Sequence, residues 1–214
     1  MKRLQGKPIS PGYGAGIAVV LDTSTQSVPR RAIRAAQVRT EVRRLERALA
    51  RSAGELEQMR RRVLHELGKS HSAIFEAHLA ILNDPTFKDR GKARMEGELV
   101  GTEFALELEL AELCSRLAQV GDAYLRERQQ DIRDVGRRIL GHLIGSPIAS
   151  PQSLPPRSVL VARELLPSDT LNIDRSHLEA IVTEEGGETG HVAILARALG
   201  VPAVTGVVQL TRKV

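Results

Sequence analysis

The chain has no tryptophan, two tyrosines and three phenylalanines in 214 residues. A core built almost without large rings has to be aliphatic, drawn from Leu, Val, Ile and Ala, which suits helix bundles and parallel strands. The same shortage leaves little aromatic surface for stacking bases. Cys114 is the single cysteine, so a disulfide framework and a cysteine-based metal site are both excluded, and a reducing, cytoplasmic setting is expected. No apolar run approaches the roughly 18 residues of a membrane span. The opening "MKRLQGKPIS" is basic but has no hydrophobic stretch behind it, so no signal peptide is expected. The charge is unbalanced, at +5, with an isoelectric point near 9.8. A basic chain can serve nucleic acid, but here the arginines alternate with glutamates in helical stretches such as "RTEVRRLERALARSAGELEQMRRR". Faces of that kind are solvated. Neither a nucleic-acid nor a membrane partner is expected.

The length allows one large domain or two small ones. "ISPGYGAGIAVVL" reads as a glycine-rich turn followed by a strand over Ile17 to Leu21, and Asp22 to Pro29 as a linker. From about Ala32 to Ile144 the apolar period becomes helical. Val42, Leu49, Leu56 and Val63 repeat at seven, with Leu45 and Met59 beside them, on one long helix ending near Gly68. A second helix carries Ile74, Phe75, His78, Leu79 and Leu82 and stops at "NDP", where Asp84 can cap the next helix and Pro85 can take its first position. A third carries Phe104, Leu108, Ala111 and Leu117, and a fourth carries Leu125, Ile132, Val135, Ile139 and Leu143. Four such helices make a helical bundle or a hairpin pair. The Pro- and Ser-rich stretch Gly145 to Arg157 closes it. Beyond, strands and helices alternate: "SVLVA", a helix start with Ser168 as its cap, "EAIVT", a glycine turn, a helix over 190–199 and "PAVTGVV". That is an α/β unit. The N-terminal strand has no partner among the helices and is assigned to this sheet. The expected domains are therefore 1–28 with 146–214, and an inserted helical domain over 29–145.

The chemistry concentrates where the glycine turn meets the helix. A helix starting near Thr189 or Gly190 directs free N–H groups and a positive dipole end at whatever lies over it, and phosphate binds such ends well. Gly186 and Gly187 can turn preceding amides inward. A histidine there, His191, resists protonation and keeps a ring nitrogen available as a nucleophile. The residues alone equally allow His191 to be a first-turn polar residue capping its own helix, and Thr170 to be a first-turn residue of another.

The run "GGETGHVAILARALGVPAVTG" resembles the phosphohistidine signature of Enzyme I of the bacterial phosphoenolpyruvate:sugar phosphotransferase system, pyruvate phosphate dikinase and phosphoenolpyruvate synthase. Gly186, Gly187, Thr189, His191, Ala193, Ile194, Ala196, Arg197, Pro202 and Ala203 match it. Gly190 stands where those families have Ser, and Glu188 where Enzyme I often has Arg. "ISPGYGAGIA", "IFEAHLAILNDPTF", "YLRERQQDIRDVGRRIL" and "VLVARELLPSDT" resemble Enzyme I in particular, so the likeness covers nearly the whole chain. It implies an α/β swivelling phosphohistidine domain with an inserted all-α helical bundle domain. It further implies that His191 takes a phosphoryl group on Nε2, with Thr170 holding the other ring nitrogen and Gly186, Gly187, Thr189 and Arg197 supporting the phosphoryl group. By the same resemblance the carrier protein HPr docks on His78, Ile81, Asp84, Leu117, Leu125 and Arg128. Bundle core is the alternative for the apolar members of that set.

The family's Enzyme I proteins continue into a barrel that binds phosphoenolpyruvate and magnesium, and into further strands of the α/β domain. The resemblance therefore implies no cofactor in this portion, magnesium only with the C-terminal phosphoenolpyruvate-binding domain, and exchange between His191 and HPr as the reaction open to it. His65, His71, His142 and His177 show no ligand spacing. Two other readings stay open: a non-catalytic helical docking or regulatory module with a degenerate motif, and nucleic-acid binding through the basic charge.

Overall fold

The computed structural model describes residues 3–21, 28–119, 123–145, 154–171, 173, 175–187 and 190–212, without the side chains of residues 67, 123–127, 170, 171, 175 and 191. Two compact units emerge, one of residues 1–24 with 149–214 and one of 25–148.

The α/β unit holds β1 (Lys7–Ser10), β2 (Ile17–Leu21), β3 (Ser158–Ala162), β4 (Leu178–Thr183) and β5 (Ala203–Thr205). They form one sheet in the order β1-β5-β4-β3-β2. β2 to β5 run parallel, while β1 is antiparallel to β5. The strand foreseen at Ile17–Leu21 thus lies in this sheet, at one edge. β1, unforeseen, occupies the other, where Pro8 costs no interior ladder bond. Strand alternation gives the sheet two apolar faces. Leu21, Leu160, Ala162, Ile181 and Ala203 pack with Ala193, Ala196 and Leu165 on one side, and Val161 packs with Val207 and Leu210 on the other. Helices α6 (Pro167–Leu171) and α7 (His191–Leu199) belong to this unit. Ser168 is not the cap of α6. The helix starts one residue earlier at Pro167, whose missing N–H costs nothing there, and the Asp169 carboxylate accepts the Leu166 N–H at 2.9 Å.

β1 and β2 are consecutive in sequence yet flank opposite edges, so "PGYGAG" must cross beneath the sheet. Its glycines do this at close quarters. A Cβ on Gly12 would meet Pro202 at 2.8 Å, one on Gly14 the Glu179 carbonyl at 2.4 Å, and one on Gly16 the Arg157 carbonyl at 1.9 Å. Each is the approach to one parallel strand, in the order β5, β4, β3. Alternate glycines are the sequence signature of that passage.

The helical unit contains α1 (Val38–Leu67), α2 (Lys69–Leu82), α3 (Pro85–Glu98), α4 (Thr102–Gln119) and α5 (Ala123–Ile144). The α1 stripe is buried at Leu45, Leu56 and Val63, and α1 packs against α2 and α5, where Phe75, Leu82, Val135 and Ile139 are also buried. Burying each such side chain fully contributes roughly 1.5–3 kcal/mol. Asp84 caps α3 by accepting the Thr86 N–H at 2.8 Å, with Pro85 in the first turn. Among the described residues the bundle has five α-helices where the sequence reading counts four. The break falls at Leu99, which is left-handed at φ 49°. The segment after it is clamped by the strand-like stretch before α1: Ile33 donates to the Leu99 carbonyl and Gly101 to the Arg31 carbonyl, each at 2.8 Å. Thr102 then bonds Glu41 of α1 through both its amide, at 3.1 Å, and its hydroxyl, at 2.8 Å.

Candidate functional site

The parallel strands end at Leu21, Ala162, Thr183 and Thr205, and the chain leaving β4 turns across these carboxyl ends, where ligands of α/β sheets bind. The turn is pinned residue by residue. The Glu184 amide donates to the Ala162 carbonyl at 3.2 Å and the Glu185 amide to the Arg163 carbonyl at 2.8 Å. The Glu184 carboxylate accepts the Thr211 hydroxyl at 2.6 Å and its amide at 2.8 Å, and these bonds hold it below the usual carboxylate range. Glu185 pairs with Arg163 at 2.9 Å. Both glutamates of "TEEGG" are therefore bound locally.

Gly186 comes next at φ 142°, a conformation L side chains rarely adopt, with the Thr205 hydroxyl 3.0 Å from where its Cβ would be. That hydroxyl donates to the Gly186 carbonyl at 3.4 Å and accepts from the Thr183 hydroxyl at 2.9 Å. Both threonines are buried. Sequence reasoning did not single them out, although a signal was there: β4 and β5 both end in Val-Thr, which places a small hydroxyl at the same level on adjacent strands.

Gly190 is the N-cap of α7, at φ −64° and ψ 162°, with no side chain to cap the helix. Its amide donates to the Gly187 carbonyl at 3.1 Å, and its own carbonyl accepts from Ala193 at 2.9 Å and Ile194 at 3.2 Å. Helix geometry leaves the amides of His191 and Val192, the two before these, without an intrahelical acceptor. Their partial positive charge faces the turn. Ala193 and Ala196 are fully buried, which presses α7 onto the sheet. At its far end Gly200 adopts the left-handed conformation, with Gly200 and Val201 bonding back to Arg197 and Ala196.

His191 thus opens α7 directly after the glycine turn. Its side chain and that of Thr170 lie outside the described residues, as do Glu188 and Thr189. Gly186 and Gly187 form the turn as the sequence suggests. Arg197 sits in the last turn of α7, and its Nε donates to the Ile9 carbonyl at 2.7 Å, tying the helix to β1. That bond is about 9 Å along the axis from the helix start. Among the described residues no group of three or more His, Cys, Asp or Glu could hold a metal ion.

The residues assigned to HPr separate in the bundle. Asp84 is exposed, and Ile81 and Leu117 are half-buried. Arg128 is half-buried and bonds Asp131 at 2.8 Å. The Leu125 side chain lies outside the described residues. His78 requires a correction: it is 0% exposed and cannot touch a docked protein. Its Nε2 lies 3.2 Å from Asp131 and its Nδ1 3.9 Å from Asp134, both on α5. Three helical positions separate His78 and Ile81 by only about 60° around the axis, enough to put one inside the bundle and the other at its rim. His177 bonds the Leu154 carbonyl at 2.8 Å and His142 lies 3.2 Å from Glu55, both structural contacts.

A helical unit interrupting an α/β unit, with a histidine opening a helix over a glycine turn, is matched by family models along most of the chain. Residues 5–128 match the N-terminal region of the PEP-utilising enzymes and residues 154–214 their mobile domain. The chain belongs to this family. Among curated proteins it is similar to the phosphoenolpyruvate-protein phosphotransferases of Bacillus sp. (strain S) and Geobacillus stearothermophilus, at 36% identity over 213 residues in each case. The alignment takes in 100% of this chain and 36% of each relative, so the chain spans about a third of their length. The Bacillus subtilis (strain 168) protein of the same name is 36% identical over 96% of the chain, again covering 36% of that protein. Among solved structures, an Enzyme I solution structure is similar at TM-score 0.77 and 33% identity, covering 99% of this chain and 86% of that one. The N-terminal domain of a nitrogen Enzyme 1 is similar at TM-score 0.65 and 26% identity, covering 98% and 86%.

Proposed function

We propose that this chain is the phosphocarrier portion of a phosphoenolpyruvate-protein phosphotransferase, in which His191 takes a phosphoryl group on Nε2 and passes it reversibly to HPr. The observation that carries the reading is the placement of His191 as first residue of α7, behind a glycine N-cap that leaves the first-turn amides uncovered. A positive helix end disfavours the imidazolium and keeps the ring nucleophilic at neutral pH. Once transferred, the phosphoryl anion lies over donors that suit it. In the transfer the bond from phosphorus to the donor nitrogen breaks as the bond to Nε2 forms, and the electron pair of the broken bond returns to the donor. In-line positioning and fixed dipoles supply the catalysis, and no acid is required. Thr170, from α6, is assigned to the other ring nitrogen, fixing the tautomer. The helical unit supplies the HPr surface through Ile81, Asp84, Leu117, Leu125 and Arg128. Phosphoenolpyruvate enters through the C-terminal domain of the longer relatives, in a cytoplasmic setting.

The test is incubation with phosphorylated HPr followed by intact-mass analysis under alkaline conditions. The expected result is a gain of one phosphoryl group that disappears in His191→Ala. A folded, HPr-binding chain that gains nothing overturns the reading in favour of a docking module.

A further inference from the structure

α1 carries a second surface, apart from the residues assigned to HPr. Arg39, Arg43, Arg47 and Arg51 recur every four residues along its N-terminal half, and all four are exposed. At ~100° and ~1.5 Å per residue they form a ladder with steps of about 6 Å, drifting slowly around the helix. Several other arginines of the bundle are paired with carboxylates: Arg60 and Arg61 share Glu57, Arg62 meets Glu66, and Arg94 holds Glu98, Glu109 and Glu112. Along the ladder the carboxylates are paired with other cations, Glu46 also attracting Arg43. Glu41 is buried against Arg31 and Arg44, and Glu46 pairs with Lys88 at 2.6 Å. Among the described residues the contact made by a ladder guanidinium is internal, Arg47 Nε on the Arg43 carbonyl at 3.3 Å. Like charges four apart repel within a helix, and Glu46, already paired with Lys88, offsets part of this at Arg43.

Beside the arginines the same face carries Thr40 and small residues, with Glu46 at its edge. Ala36 just before α1, and Ala50 and Gly54 within it, are exposed, and a Cβ at Gly54 would meet nothing within 4 Å. A glycine in the interior of a 30-residue helix weakens it, and no contact inside this protein calls for one here. A glycine there leaves room for another backbone to approach closely. The face has no aromatic and no large apolar side chain, which disfavours base stacking and membrane insertion.

We propose that this face of α1 docks an acidic α-helix of another protein, with carboxylates spaced four apart set against the arginine ladder and its backbone close to Ala50 and Gly54. Arginine forks suit carboxylates in two-point pairs, and the equal repeat on both helices lets several pairs form in one register.

The test is fluorescence-anisotropy titration of the full chain with a synthetic alanine-based helix bearing glutamate at every fourth position. A scrambled peptide of the same composition and a duplex DNA serve as comparators. The expected result is binding that weakens roughly tenfold or more in the double variant Arg43→Glu, Arg47→Glu. Gly54→Leu should also weaken it several-fold while raising helicity, and the scrambled peptide should bind less well. Absence of binding, equal affinity for the scrambled peptide, or affinity unchanged by the arginine substitutions overturns the proposal. Tighter binding of the duplex, lost in the same double variant, overturns it in favour of nucleic acid.

Discussion

Thr205 links the two halves of the glycine turn through one oxygen, accepting from Thr183 and donating to the Gly186 carbonyl. Thr205→Val keeps the shape and removes both bonds, leaving a buried hydroxyl and carbonyl with less to bond. The expected cost is about 1–2 kcal/mol, read from urea melts of the α/β unit. The double variant Thr183→Val, Thr205→Val should cost less than the sum, because both members of one pair are then gone. At this scale the sequence was informative about backbone and weak on side-chain partners. Gly186, Gly187 and His191 were legible because positive φ and a helix start leave compositional marks. The threonine pair was not, because it joins residues on two strands whose adjacency only the sheet order establishes. The bond from Arg197 to the Ile9 carbonyl was not legible either, because it joins residues nearly the whole chain apart.

The start of α1 shows how an element is held by charge. Burial pushes the Glu41 carboxyl up, but hydrogen bonds from Arg31 and from the Thr102 hydroxyl and amide, with the attraction of Arg44, outweigh it and bring the carboxyl from 4.5 to about 2. A carboxylate with a lowered folded value contributes stability that is complete above its unfolded value and is lost as pH falls through the folded one. The window therefore runs from about pH 4.5 down to about 2. At neutral pH the contribution is about 3 kcal/mol. Glu41→Gln should destabilise the bundle by about that amount at pH 7, with the gap closing as pH falls through the window. Denaturant melts followed by circular dichroism across pH measure it. The helices themselves were largely legible, since Leu45, Leu56, Val63, Phe75, Leu82 and Ile139 all fall on the expected stripes and are buried. The α3–α4 break was not, because "LVG" carries no strong stop signal. What ends α3 is a clamp from residues 31–33, far away in sequence. Likewise β1 is four residues with a proline, too short to show alternation.

At the scale of the molecule, two units with separate cores predict separable damage. Gly14→Val places side-chain atoms against the Glu179 carbonyl and Ala180. It should unfold the α/β unit while leaving most of the helical signal in the far-ultraviolet circular dichroism, with limited proteolysis cutting residues 149–214 first. Equal loss of both would show that the units stand or fall together. The sheet's strand order also has a consequence for biosynthesis. β1 emerges first from the ribosome, yet its neighbour is β5, and β2 must await β3 across the entire helical insertion. At ~5–20 residues per second, Lys7 waits roughly 10–40 s for Thr205 to be made. In the part of that interval before β3 is made, the bundle completes its helices and can fold, while Ile17 and Val20, which stay largely exposed even in the finished sheet, have no neighbouring strand. The nascent chain is thus a folded helical body that carries unpaired strands until their neighbours are made.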